Sequence, residues 1–235
     1  SGHEGSTPRS HRSSSSRMKV YHHLDDFTPL PFAVATTGTF DGVHIGHKTI
    51  LRRLIEVAKR EAGESVLLTF HPHPRRVLQP DADLSMLSSI DEKIVHLQGI
   101  GLDHLIIHPF DKAFSRTSSL EFVRNILVEQ IGVRRLVIGY DHHFGRNREG
   151  SFGHLMEYGP LYGFEVEEIP AQEIDEVSVS STKIRNALTE GDVKLAAEYL
   201  AYPYQLSGWV VKGDQLVRTL GFPTANISLS DPDKL

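Results

Sequence analysis

The decamer Gly38-Thr39-Phe40-Asp41-Gly42-Val43-His44-Ile45-Gly46-His47 lies between two segments of different character. Residues 32–36 before it are mostly apolar and favour a strand, whereas apolar side chains recur at helical spacing over residues 50–58 after it. The decamer is therefore predicted to form the turn that leads from a strand into a helix. Its three glycines stand where the backbone must bend or must approach a ligand closely.

Two histidines three residues apart, His44 and His47, complete this turn. On a first helical turn, that spacing places both imidazoles on one side of the helix. Free backbone N–H groups and the helix dipole attract anions at the same end. Imidazoles there can donate hydrogen bonds to charge that develops on phosphorus-bound oxygens, so the pair is predicted to serve phosphate chemistry. The spacing alone is equally consistent with a buried histidine pair in a glycine-rich turn.

Residues 44–47 match the HxGH motif of the nucleotidylyltransferase superfamily, and the whole decamer resembles the adenylyltransferase module of prokaryotic bifunctional riboflavin kinase/FAD synthetases. The resemblance implies a Rossmann-like α/β domain that transfers AMP from ATP to FMN, giving FAD and pyrophosphate. It implies that His44 and His47 are catalytic and stabilise the α-phosphoryl group, while Mg²⁺ bridges phosphate oxygens. The residues it assigns to ATP in this half of the chain are Gly38, Thr39, Phe40, Gly46 and Gly139.

Composition limits the possible classes of protein. The chain has 235 residues, of which 39% are hydrophobic and 23% are charged, as in a globular protein of one large or two modest domains. No apolar run approaches the roughly 18 to 20 residues that span a bilayer, so no membrane partner is expected. Cysteine is absent, which excludes disulfides and thiol nucleophiles and fits a cytoplasmic enzyme.

Residues 1–17 are rich in Ser, Gly and His, show no periodicity and precede Met18. We interpret them as an expression leader without regular structure. Without them the chain carries 22 basic and 29 acidic residues. This acidic balance argues against a nucleic-acid partner. Anionic ligands must therefore be held by local groups of the protein.

Strand and helix patterns alternate along the chain, which predicts a parallel sheet of Rossmann type. The predicted strands are residues 19–21, 32–36, 65–70, 104–108, 135–139 and 164–169. The predicted helices are residues 50–62, 91–100, 119–130, 152–162 and 191–201.

Three loops follow predicted strands at their C-terminal ends, where open parallel sheets bind ligands. They are residues 38–47, 71–76 and 139–150, and the prolines of the second are predicted to forbid a helix. The second and third loops resemble the family's TFxPHP and VGxDFxFG segments, which implies that His73 and Asp141 bind FMN. His73 is equally compatible with loop packing, and Asp141 with turn formation. His71 and His142 depart from the family's usual residues on the acceptor side.

A fourth segment begins with hydroxyl residues and becomes apolar at helical spacing. Ser180 or Ser181 is predicted to cap this helix, so that Ser181, Thr182 and the first amides form an anion nest. Arg185 lies on the same face as Ser181 and offers a charged fork. The segment matches the family's SSTxIR motif, which implies that Ser181, Thr182 and Arg185 hold the β- and γ-phosphates of ATP. An ordinary capped helix with a surface arginine is the alternative.

The pattern changes after residue 202, so residues 18–202 are predicted to be the adenylyltransferase domain and residues 203–235 a separate piece. This piece resembles the opening of the riboflavin kinase β-barrel, including its PTAN motif. The resemblance assigns Thr224 and Asn226 to the Mg²⁺–ATP of a complete kinase module. About thirty residues cannot close a β-barrel, so phosphorylation of riboflavin is expected only in a longer chain.

Two further hypotheses stay open. Another HxGH transferase would use a phosphopantetheine, nicotinamide mononucleotide or glycerol phosphate acceptor, but these enzymes lack a PTAN segment. A non-catalytic module would bind flavin or nucleotide without turnover, although the histidine pair and the SSTxIR helix argue against it. Class I aminoacyl-tRNA synthetases also carry such a histidine motif, but no KMSKS-like loop follows here.

Overall fold

A computed structural model describes residues 17–175, 180–213 and 225–235. The predicted leader lies outside these residues except for Arg17. Six strands form one parallel sheet: β1 Lys19–Tyr21, β2 Ala33–Thr37, β3 Glu64–His71, β4 His104–Pro109, β5 Val133–Gly139 and β6 Glu165–Ile169. The predicted α/β fold with a parallel sheet is thereby confirmed.

The order of the strands places the ligand-binding edge of the sheet. The order is β1-β4-β3-β2-β5-β6, so the chain turns to one side of β2 for β3 and to the other side for β5. Open α/β sheets bind ligands at such a switch point, outside the carboxyl ends of the strands. The loops that follow β2 and β5 therefore lie side by side at this edge.

Helices connect the strands. They are α1 Ile45–Arg60, α2 Pro74–Leu78, α3 Ile90–Ile100, α4 Ser119–Glu121, α5 Phe152–Tyr162, α6 Ala171–Asp175, α7 Ser181–Thr189 and α8 Val193–Leu200. Helix α4 continues over Phe122–Ile131 with the wider winding of a π-helix, which the sequence pattern did not distinguish from an α-helix. In the described residues, no helix has both the length and the apolar composition needed to cross a bilayer.

The prediction that residues 71–76 contain no helix is wrong, because α2 begins at Pro74. Proline is tolerated at the first helical position, where its missing N–H has no intrahelical partner to lose. His73 caps the helix, since its Nδ1 accepts the Arg75 N–H at 3.1 Å. Helix α6 was also missed, because five residues are too few to show a helical period.

Three clusters of apolar side chains form the core. One lies between the sheet and helices α1 and α3, with Leu51 and Leu97 fully buried. A second covers the opposite face, where the π-helical segment and α5 pack through Leu127 and Leu155. All five residues of β2 are buried, as expected for a central strand covered on both faces. A third, smaller cluster joins α7 and α8 to Leu87.

Two strands after residue 207, β7 Gly208–Val211 and β8 Asn226–Leu229, pair antiparallel as a hairpin. Its eight strand residues are exposed, Trp209 at 76% and Val210 at 77%. Residues 231–235 then return to the parallel-sheet domain, where the buried Lys234 pairs with Glu92 on α3.

Candidate active site

The two histidines of the turn lie together at the start of α1, as predicted. His44 is the N-cap of the helix, and its Nδ1 accepts the backbone N–H of His47 at 3.4 Å. The two rings stack with their centroids 3.5 Å apart. Because Nδ1 accepts a hydrogen bond, the neutral His44 ring carries its proton on Nε2. His44 therefore presents an N–H donor at the switch point of the sheet.

Both imidazoles are neutral at pH 7. Burial, helped by the charge of Arg185, lowers the pKa of His44 to about 4. Burial, with His44 and Lys93 adding to it, also holds the pKa of His47 well below its ordinary value. His47 is partly exposed, but its Nδ1 is buried without a hydrogen-bond partner among the described residues. The pair can therefore act as neutral hydrogen-bond donors, and not as fixed charges.

These pKa shifts predict that acid weakens the fold. Burial also lowers the pKa of His73 to about 4 from an ordinary value of 6.5. Between those two values the unfolded chain binds more protons than the native chain, so the free energy of unfolding falls as pH drops from 6.5 to 4. Urea midpoints measured across that window should decline with acidification. The His44→Gln/His73→Gln double variant should show a shallower decline, and an unchanged slope would contradict the shifts.

The glycines of the turn make room for the protein's own rings and for one sharp bend. Gly42 has a φ of 77°, which favours glycine, and the turn residues Phe40 and Val43 on either side of it also have positive φ. A side chain at Gly38 would meet the Phe40 ring at 2.9 Å, and one at Gly46 would meet the His44 ring at 3.2 Å. The absence of a side chain at Gly38 and Gly46 therefore leaves room for the rings of Phe40 and His44, which belong to the turn itself.

Asp41 connects the turn by hydrogen bonds to the loop that precedes α3. Its carboxylate is buried and accepts the N–H groups of Leu87 at 3.0 Å and Ser88 at 3.2 Å. The same carboxylate forms an ion pair with Arg185. Asp41 therefore has a structural role, and the backbone groups it holds belong to the neighbouring loop.

Helix α7 meets the histidine turn through Arg185. Ser180 is the N-cap, accepting the Lys183 N–H at 3.2 Å, so Ser181 and Thr182 are the first two helical residues. The Arg185 guanidinium joins Asp41, 144 residues away in sequence, and its Nε donates to the Ser85 carbonyl at 2.7 Å. The two distant motifs therefore form one cluster. The contacts of Ser181, Thr182 and Arg185 with phosphate stay predictions.

A cavity opens beside this cluster. Its walls include Thr39 of the turn, His73 at the start of α2, Arg76 and Lys93. Lys93 belongs to none of the motifs and was not predicted to be a site residue, although the sequence contains a signal for it. It occupies an apolar-stripe position of α3, three residues after Ile90 and four before Leu97. Asp233, from the segment that returns to this domain, also lines the cavity and pairs with Arg76 at 2.8 Å.

The loop after β5 reaches the site through His142, whereas Asp141 is exposed. His142 Nε2 is 3.1 Å from the Thr37 carbonyl at the end of β2, which ties the two loops together. A side chain at Gly139 would meet Ile174 of α6 at 3.2 Å, so α6 covers that end of β5. The structure thus brings Gly139 to the switch point but leaves Asp141 at its rim.

Of the two residues assigned to a kinase module, the structure describes one. Thr224 falls outside the described residues, and Asn226 is exposed on β8. Within residues 17–175, 180–213 and 225–235, no group of three or more His, Cys, Asp or Glu side chains is arranged to hold a metal ion.

A parallel α/β sheet with an HxGH turn at its switch point defines a protein of the nucleotidylyltransferase class. The family model for FAD synthetase matches residues 29–183, and the model for riboflavin kinase matches residues 200–235. The chain belongs to the FAD synthetase family.

Curated relatives carry the name bifunctional riboflavin kinase/FMN adenylyltransferase. The relative from Pseudomonas fluorescens is 40% identical over 83% of this chain and 63% of its own length. Those from Buchnera aphidicola subsp. Schizaphis graminum and Escherichia coli K12 are each 36% identical, over 84% and 90% of this chain and 64% and 67% of their own lengths. This chain therefore spans somewhat under two thirds of the first two relatives.

The fold also matches a solved structure. A crystal structure titled macrolide-efflux protein, from Streptococcus pneumoniae, aligns with a TM-score of 0.79 and 28% identity. The alignment covers 92% of this chain and 70% of the other chain. The likeness therefore extends over most of this chain.

Proposed function

We propose that this chain is an FMN adenylyltransferase. An oxygen of the FMN phosphate attacks the α-phosphorus of ATP, the bond from that phosphorus to the β-phosphate oxygen breaks, and pyrophosphate leaves with the electron pair. The products are FAD and pyrophosphate. The observation that carries the proposal is that the HxGH turn and the SSTxIR helix meet at the switch point of the sheet through Asp41 and Arg185.

The reaction needs no covalent intermediate, so the protein has to align the reactants and stabilise charge. In this proposal, the Nε2–H of His44 and the ring of His47 donate hydrogen bonds to the α-phosphoryl oxygens. Ser181 and Thr182 at the start of α7, together with Arg185, hold the β- and γ-phosphates. In this proposal, adenine lies along the backbone of Gly38–Phe40 and along the end of β5 at Gly139, and Gly46 also contacts ATP.

The cavity beside the turn is the proposed site of FMN. Its walls combine the apolar Phe70 and Ile90 with the polar His73 and Lys93, a mixture typical of ligand sites. His73 borders it and is neutral at pH 7, so its ring can donate a hydrogen bond to the flavin nucleotide. Asp141 lies at the exposed rim of the neighbouring loop, where it would orient the acceptor.

Mg²⁺ belongs to this proposal as part of the substrate. It typically binds to nucleotide phosphates and keeps several waters. The described residues form no dedicated metal cluster, so the Mg²⁺–ATP complex is the proposed substrate. The cytoplasmic location expected from the sequence stays a prediction.

An acceptor screen tests the proposal. The chain is incubated with Mg²⁺ and ATP plus FMN, riboflavin, phosphopantetheine, nicotinamide mononucleotide or glycerol phosphate, and flavins and pyrophosphate are quantified. We expect FAD and pyrophosphate with FMN only. No FMN should form from riboflavin, because the described strands after residue 207 are an exposed hairpin with no closed barrel around them.

Each of the other outcomes of the screen has a distinct meaning. Pyrophosphate released with another acceptor would favour another HxGH transferase. Tight binding of FMN and ATP without FAD would favour the non-catalytic module. Formation of FMN from riboflavin would contradict the inference from the hairpin.

A further inference from the structure

Lys93 is a buried cation beside the cavity. The residue is 6% exposed, and its Nζ donates to the Thr39 carbonyl of the histidine turn at 2.7 Å. In the part of the chain that the structure describes, no carboxylate forms an ion pair with this ammonium. Burying an ammonium costs several kcal/mol unless other groups compensate it. The Thr39 carbonyl and the charge of the nearby Asp41 carboxylate compensate this cost only in part, since burial still lowers the pKa of Lys93. The remaining cost points to an anion that binds there.

The Lys93 ammonium lies between two parts of the site, the imidazole pair and the cavity. Its charge contributes to the lowered pKa of His47 on one side and of His73 on the other. Lys93 also lines the cavity itself. It is therefore placed between the imidazole pair, where the α-phosphate of ATP is expected, and the cavity, where FMN is expected.

The neighbouring arginines have other partners. Arg185 is bound to Asp41 and to the Ser85 carbonyl, and Arg76 is paired with Asp233. The acceptor phosphate and the α-phosphate of ATP are both anionic, so their approach is opposed by repulsion unless a cation lies near both. Lys93 meets that requirement without breaking an existing ion pair.

We propose that Lys93 is a further catalytic residue, whose ammonium binds the FMN phosphate and holds it beside the α-phosphate of ATP. This inference rests on the proposed function. It assigns to Lys93 the recognition of the phosphate by which FMN differs from riboflavin. An oxygen of the phosphate held by Lys93 forms the new bond to the α-phosphorus, and pyrophosphate departs as described above.

The test compares the affinities of FMN and riboflavin, measured by flavin fluorescence, in the 235-residue chain and its variants. Lys93→Gln removes the charge but keeps an N–H donor for Thr39, and Lys93→Arg keeps both. Lys93→Gln should weaken FMN binding by roughly 10- to 100-fold, the range for a hydrogen bond to a charged group, and should leave riboflavin binding unchanged. Lys93→Arg should retain most of the preference for FMN.

Lys48→Gln is the matched control, because Lys48 also donates to a backbone carbonyl, that of Leu200. It should leave both affinities unchanged. If Lys93→Gln weakened the binding of FMN and of riboflavin equally, the role of Lys93 would be merely structural and the proposal would be overturned. Unchanged affinity for FMN would also overturn it. If Lys93→Gln does not fold, the wild type decides, since FMN must bind it at least about tenfold more tightly than riboflavin.

The two proposals fail in distinguishable ways. A folded wild type that makes no FAD refutes the proposed function. A wild type that makes FAD, with a Lys93→Gln variant of normal FMN affinity and kcat, refutes only the assignment of Lys93.

Discussion

Replacing His47 with alanine is expected to lower kcat for FAD formation by about 100-fold or more, while the KM for ATP changes little. The imidazole is held in place before the substrate arrives, stacked on His44 at 3.5 Å and near the Phe40 ring at 4.7 Å. A donor fixed in this way interacts most strongly with the charge that develops in the transition state. Its loss should therefore appear in kcat.

Two comparisons isolate the role of the His47 imidazole. His47→Asn keeps an N–H donor and should recover part of the lost rate, whereas the exposed His22→Ala should behave like the wild type. Steady-state kinetics with FMN and ATP give kcat and KM, and thermal melts establish that each variant is folded. A His47→Ala enzyme with normal kcat and a raised KM for ATP would show that the ring only binds ground-state phosphate.

Replacing Asp41 with alanine is expected to lower the free energy of unfolding by roughly 3 to 5 kcal/mol. The substitution removes the acceptor of two buried N–H groups, those of Leu87 and Ser88, and leaves the Arg185 guanidinium without its counter-ion. Domains are typically stable by only about 5 to 15 kcal/mol, so the loss should be conspicuous in urea unfolding.

A double-mutant cycle with Arg185 separates the ion pair from the backbone bonds. Arg185→Ala should cost less than Asp41→Ala, because Asp41 still accepts from Leu87 and Ser88. The double variant should lose about 0.5 to 3 kcal/mol less than the sum of the two single losses. Strict additivity of the two losses would contradict the coupling. Asp25→Ala serves as the control, because the Asp25 side chain is 76% exposed.

Local patterns predicted most of the regular structure. Helix α5 has the predicted bounds, and β4 and β5 differ from prediction by one or two residues at an end. Apolar period and flanking turn residues are properties of neighbouring positions, which is why they can be read along the chain. Helix α6 was missed because it has only five residues, and α2 was missed because its prolines were predicted to forbid a helix.

The local chemistry of the site was also predictable. The spacing of His44 and His47 places both rings on one side of α1. The hydroxyl run predicts a cap at Ser180 or Ser181, and the cap is Ser180. Both results follow from backbone geometry within a single turn of helix. Placement of the loops at one edge of the sheet follows from parallel strands alone.

Tertiary structure alone decided which groups are buried together. The pairing of Asp41 with Arg185, the burial of Lys93 beside the cavity and the contact of Lys234 with Glu92 each depend on how separate elements pack. The position of Lys93 on an apolar stripe signals its burial. The groups that each of these residues meets have no local pattern, because desolvation and charge pairing depend on distances between residues that are remote in sequence. The sequence therefore identified the residues capable of phosphate chemistry. Packing determined their protonation and their partners.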